Sequence, residues 1–384
     1  MKGKDIARSV FVFTFFCAAT SWGIPPQAKW KGTATERDGV FTVRNPKRPL
    51  YSGPALELVE ELRVGEAEGR PEYAFGQVRG IAVDATGCLY VADDKNIHIK
   101  VFDGKGVYLR TIGRQGQGPG EIGSPYDVFI NSRGEVLVPD GKNYKLHFYS
   151  TLGLSLKDVT FGNRFPMASV LGPRDELYVQ SFGGDFGTGT YFELARLDED
   201  LNPVAVLNRV DIPPGPLKES LDGKVPLFCV RGDGSFVMGF GKRDEYRIDV
   251  LDPGGRLSRI ISRDFDPVAI PKDLLEKAKQ SRPPGMPGEI PTRFPPYLRL
   301  AADDEGRIFA LTPPYDPEGR SFTWDVFDAE GRFLAIVRLP GSGRLLADMT
   351  NSLLWKAGKL YVVEEDEDGY HLIKRYRAEW TWGR

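Results

Sequence analysis

Short apolar runs separated by Gly- and Asp-bearing turns recur along this chain in one register, and the first two copies align without a gap. Ile81-Ala82-Val83-Asp84-Ala85-Thr86-Gly87-Cys88-Leu89-Tyr90-Val91 lies 47 positions before Val128-Phe129-Ile130-Asn131-Ser132-Arg133-Gly134-Glu135-Val136-Leu137-Val138. Looser copies are anchored on Leu177-Tyr178-Val179, Phe236-Val237, Ile308-Phe309 and Leu360-Tyr361-Val362, each read as the second strand of a unit. Third strands follow, such as Ile99-Lys100-Val101-Phe102, Leu194-Ala195-Arg196-Leu197 and Trp324-Asp325-Val326-Phe327. Self-similarity at this period signals a repeat architecture. Strands with near-continuous Val, Ile, Leu, Phe and Tyr suit sheets buried on both faces, as radially stacked blades are.

Six such units, with almost no helical periodicity, predict an all-β fold: a six-bladed β-propeller with four-stranded blades. Leu56–Val64 is strand-like and precedes the first unit, so it is expected to complete the last blade and close the ring, removing the free edges of the array. One short helix is expected over Pro271–Gln280, opened by its proline. The division expected is 1–23 signal peptide, 24–54 N-terminal extension and 55–380 propeller.

The signal reading rests on Lys2, Lys4 and Arg8, an apolar core over Val10–Ala19 and small residues following it. That apolar run is too short to span a bilayer. The mature chain is therefore expected in the periplasm or medium; anchoring through a lipid-modified Cys17 is the rival, disfavoured because Phe15 and Phe16 precede it. Charge is nearly balanced across the 384 residues, 51 basic against 53 acidic, and no polybasic run suggests nucleic acid or anionic lipid. Cys88 and Cys229 fall in the first and fourth units, on opposite sides of a ring, and are expected to stay unpaired.

Asp93-Asp94-Lys95-Asn96-Ile97-His98-Ile99 and Asp140-Gly141-Lys142-Asn143-Tyr144-Lys145-Leu146 resemble the D-x-x-N-x-R-I signature of NHL repeats, with His98 and Lys145 where that family carries Arg. The link Ile112–Ile122 and the stretch Phe294–Gly306 resemble bacterial exported six-bladed β-propeller proteins. The resemblance spans about residues 55–380 and implies the fold.

Function is less legible, because propellers host unrelated activities. The long insertions, Arg114–Pro125, Gly183–Thr190, Asn208–Pro226, Asp264–Tyr297 and Thr312–Ser321, are all links or second-to-third-strand hairpins and so belong to one face, where binding is usually built. Projected onto the inner strands, the register places Arg79, Tyr126, Asp127, Arg299 and Asn351 at the channel mouth; Asp185, Arg293, Tyr297 and Tyr315 are outer candidates. Arginine forks suit carboxylate or phosphate, whereas tyrosine and amide groups suit sugars or peptide.

The expected function is an exported, monomeric binding module for a peptide, glycan or protein partner, with no catalytic or metal-ligating residue assigned and no cofactor. The alternative is a metal-dependent hydrolase or lyase, lactonase-like, at the same mouth. His98, His147 and His371 all map to third strands or their hairpins, away from the axis, which disfavours a His-ligated zinc. Gly116–Gly120 lacks the Lys and Ser or Thr of a phosphate loop, and Glu364–Gly369 reads as a solvated acidic turn.

Overall fold

A computed structural model describes residues 29–66, 69–185, 187–214, 223–282, 290–313, 321–342 and 351–382. Six sheets arise, each antiparallel and ordered as the chain runs apart from the strands that the N-terminal segment adds to blades four and six. Blade one consists of Val78–Val83, Leu89–Asp93, His98–Phe102 and Tyr108–Ile112. The inner strands of the other five are Phe129–Ile130, Phe165–Leu171, Leu227–Val230, Arg299–Ala302 and Leu353–Lys356. Apolar clusters lie between consecutive blades, which is why the strands lack a polar face. Phe309 and Trp324 of blade five pack with Trp355 and Leu360 of blade six, and Val363 and Ile373 of blade six pack with Val91 and Phe102 of blade one. Each large side chain buried this way contributes about 1.5–3 kcal/mol.

The recurrent turn has one chemistry. Asp103 Oδ1 accepts the N–H groups of Lys105 at 2.9 Å and Val107 at 2.8 Å, while Gly106 takes φ +81°, a region other residues enter at a cost. Asp84, Asp198, Asp303 and Asp366 repeat the cap on their own turns. Asp103→Ala is expected to cost about 1 kcal/mol through loss of these two bonds, and a denaturant midpoint unchanged from wild type would contradict that.

Leu56–Val64 pairs antiparallel with His371–Trp380 and completes blade six, as the sequence predicts. Antiparallel order in every blade puts links and second-to-third hairpins on one face, called here the link face, and the tight first-to-second turns on the other. The helix runs over Lys272–Ser281, immediately after Pro271, and buries no residue.

The described part of the N-terminal extension is built into the propeller. Thr33–Arg37 and Val40–Asn45 form a hairpin whose second strand pairs parallel with the outer strand Leu257–Arg263, so blade four becomes six-stranded. The chain then crosses blade five, where Leu50 and Tyr51 donate to the carbonyls of Phe333 and Leu334, and enters blade six as the closing strand. The arm thus belts the outer edges of blades four to six. Signal-peptide residues 1–23 and Cys17 lie outside the described residues.

Candidate functional site

Inner strands from all six blades enclose an axial cavity of about 540 Å³. Its walls mix apolar side chains, among them Ile81, Ile130, Val170, Leu171, Val230 and Leu354, with polar ones such as Asn131, Ser169 and Arg231. Towards the link face it ends at Leu227, Leu298, Arg299 and Asn351. At the other end its lining includes the exposed turn residues Ala85, Ser132, Pro173, Gly232, Asp304 and Lys356, so the cavity opens to solvent on the tight-turn face.

Of the inner-ring candidates, Arg299 and Asn351 line this cavity, whereas Arg79, Tyr126 and Asp127 do not. Asp127 is fully buried. Its Oδ1 accepts the Val128 N–H at 2.8 Å and its Oδ2 that of Asn351 at 3.3 Å. Burial pushes its carboxyl up to about 8, against the lowering influence of those N–H groups and of the Arg299 charge. Gly80 makes room for it: a Cβ there would collide with Asp127 Oδ1. The buried Tyr126 hydroxyl lies 2.8 Å from Ser169 Oγ, and burial raises its pKa. Arg79 Nε donates to Asp94 Oδ2 at 3.3 Å, and Asp94 Oδ1 accepts from Ser124 Oγ at 2.7 Å, tying blade one to the next link.

The outer candidates scatter. Asp185 is exposed and caps its own hairpin through the N–H of Gly187 at 2.7 Å. Arg293 is exposed, and its carbonyl accepts from Arg243 Nε at 2.7 Å. Tyr297 is a core residue, packed on Tyr246 with its hydroxyl donating to the Arg247 carbonyl. Tyr315 lies outside the described residues.

Other polar features hold the scaffold. Asp93 accepts the N–H groups of Gly76 and Gln77, each at 2.9 Å, and Asn96 Nδ2 at 2.8 Å, so it ties its hairpin to the incoming link. Asp140 repeats this with Gly123, Ser124 and Asn143, and also takes His147 Nε2 at 3.1 Å. The glycine-rich link is a nest filled by its own carboxylate: Glu121 Oε2 accepts from Gly118 at 3.0 Å and Gln117 at 3.2 Å, and those N–H groups, with Arg114, hold its pKa down. In the acidic segment Asp366 caps the turn, while Glu364 is buried and pairs with Lys374 Nζ at 3.0 Å. Cys88 and Cys229 are free, and burial pushes the Cys229 thiol up to about 12.

Two features had no sequence reading: Arg231, a cavity-lining side chain only 9% exposed, and the close approach at Gly80. Among the described residues no group of three or more His, Cys, Asp or Glu side chains comes together to hold a metal ion. No helix among them is long and apolar enough to cross a membrane.

Residues 68–209 match the DUF5128 family, described as a six-bladed β-propeller. No curated protein matches the sequence. Among solved structures, a candidate exported protein of Bacteroides fragilis is 12% identical over 88% of this chain and 99% of its own, with a TM-score of 0.53. A DUF4221 member from Bacteroides vulgatus is 13% identical over 85% of this chain and 99% of its own, at 0.47. A gluconolactonase from Xanthomonas campestris is 12% identical over 84% and 99%, at 0.46. Strand order, family match and the likeness to the B. fragilis protein converge on the same architecture: the chain is a six-bladed β-propeller.

Proposed function

We propose that this protein is an exported, monomeric binding module that holds a peptide, glycan or protein partner on its link face and at the adjoining end of the central channel. The observation that carries this reading is the axial cavity to which every blade contributes, with the Arg299 guanidinium and the Asn351 amide at its link-side end. The lining carboxylates Asp84 and Asp303 cap turns, and Asp127 is engaged by backbone N–H groups, so the acids nearest the axis hold the scaffold. Export rests on the N-terminal charge and apolar pattern, and the Asp93–Asn96 and Asp140–Asn143 hairpins are read as NHL-type repeats.

Binding screens against peptide and glycan arrays test the reading. Alanine at both Arg79 and Arg299 is expected to abolish the retained signal while the melting temperature stays within a few degrees. Affinity unchanged in that variant removes the site. A stoichiometric divalent cation in the purified protein, lost with the same substitutions, transfers the reading to a metal-dependent hydrolase or lyase.

A further inference from the structure

The repeat register sorts the cavity wall into rings. Val83, Ile130, Leu171, Val230, Ala302 and Trp355 occupy one position, each paired with the first apolar residue of its blade's second strand, and all of them line the cavity. The two residues that precede each of them line it as well, giving three rings over a depth of about 10 Å. No side chain in these rings carries a charge. The one hydroxyl among them, Ser169, lies 2.8 Å from the Tyr126 hydroxyl and is engaged within the protein. Ile130, Leu171, Val230 and Ala302 are only half-buried, so blades two to five each leave apolar surface uncovered on the wall. Keeping such a belt against water costs free energy in proportion to its area, and a ligand that covers it recovers that cost.

The charged groups stand at the two ends of the cavity and are matched there. Arg231 Nη2 lies 3.3 Å from Asp233 Oδ2, and Asp303 pairs with Arg307. Asp84 accepts the N–H groups of Thr86 and Cys88, Asp175 that of Ser132, and Asp304 that of Gly358, while the exposed Lys356 lines the same rim. Both signs are therefore present at the open end. At the link end Arg299 Nη1 donates to Ser352 Oγ at 3.4 Å, and the Asn351 N–H is held by Asp127. An ion moved into the middle rings would leave water without meeting a counter-charge, whereas an uncharged apolar molecule meets no such penalty.

We infer that the channel is a binding site for an uncharged, largely apolar small molecule that enters from the tight-turn face and is held by the three rings. This goes beyond the partner reading above, which concerns the link face, and it requires no free charge on the wall. A volume of about 540 Å³ suits a single small ligand. Affinity comes from the apolar area covered, and selectivity comes from the exclusion of charge rather than from a polar seat.

Fluorescence titration of the full mature chain with N-phenylnaphthylamine and with anilinonaphthalenesulfonate tests this, since the two share their rings and differ by one sulfonate. The neutral probe is expected to bind at one site per chain and at least about tenfold tighter than the sulfonate. Decanol is expected to displace it at a concentration at least about tenfold below that of decyltrimethylammonium, which carries a tail of equal length. Val170→Trp fills the rings from blade three, and Ala302→Phe fills them from blade five; each is expected to weaken the neutral probe by about tenfold or more. Equal or tighter binding of the sulfonate by the wild type overturns the inference, as does equal displacement by the alcohol and the cation. Neutral-probe binding that neither filling substitution weakens, in whichever of the two variants keeps the wild-type melting profile, also overturns it. The wild-type comparison decides the matter even where both variants melt early.

Discussion

Asn45→Ala is expected to lower the unfolding free energy by about 3–5 kcal/mol, far more than an exposed-arm residue would. Asn45 is only 3% exposed, and its side-chain amide is satisfied at every position an amide offers. Nδ2 donates to the Ser262 carbonyl at 3.1 Å and the Gly331 carbonyl at 2.9 Å. Oδ1 accepts from Phe333 N–H at 2.7 Å and Trp30 Nε1 at 3.0 Å. One side chain thereby joins the arm to the outer strand of blade four and to the third-to-fourth turn of blade five. Alanine leaves those groups buried without partners, and the desolvation of each is then uncompensated. Asn45→Asp sharpens the test, because a carboxylate of equal size faces two carbonyl oxygens, and it is expected to be at least as damaging at neutral pH. Urea unfolding of both variants measures the effect, and a loss below about 1 kcal/mol in either would mean that the arm is not held through this amide.

That latch was invisible in the sequence for a physical reason. Every residue of Thr33–Arg37 is exposed, so the strand carries no alternation of apolar and polar positions to read. Its partner, Val40–Asn45, adds parallel to blade four through backbone groups, which leave no compositional trace. The closing strand Leu56–Val64 was legible because the segment after it, Gly65–Glu72, resembles the link that follows the fourth strand of blade one, and because an open ring would leave unpaired edges. The same contrast governs the site. Register alone located the axial ends of the inner strands, and Arg299 and Asn351 line the cavity there. Register slips at two of those ends: the pairing shifts between Val78 and Gly80 in blade one and between Pro166 and Ala168 in blade three. A single extra residue reverses which way the following side chains point, and Arg79 is the residue in the first of these bulges. Tyr297 illustrates the other source of error, since its place near the end of a long link gave no sign that it packs into the core with Tyr246 and Ile248.

Above neutral pH the buried carboxyl beneath the cavity is expected to dominate the stability profile. Asp127 has its folded-state pKa raised from 3.8 to about 8 by burial. Between those values the unfolded chain has lost this proton and the folded chain retains it, so stability falls as pH rises through the window and levels off above about 8. The slope approaches about 1.4 kcal/mol per pH unit at its steepest. Other groups do not mask it. Asp325, raised to about 6, acts in the same direction but is finished at lower pH. The carboxylates held down by their partners, such as Asp140 and Asp158, gain their stabilisation at acid pH. His98 has its pKa lowered by burial, so its contribution grows with pH and is complete once the unfolded imidazole is neutral, near pH 7. Asp127→Asn keeps an acceptor for the Val128 N–H and removes the titration. Denaturant titrations between about pH 6.5 and 9 are therefore expected to show a decline in the wild type and a flat line in the variant, which becomes the more stable of the two above about pH 8. Parallel profiles would show that the wild-type carboxyl is already ionised in the fold. In that case its negative charge would be stabilised by the Arg299 charge and the N–H groups of Val128 and Asn351 strongly enough to outweigh burial.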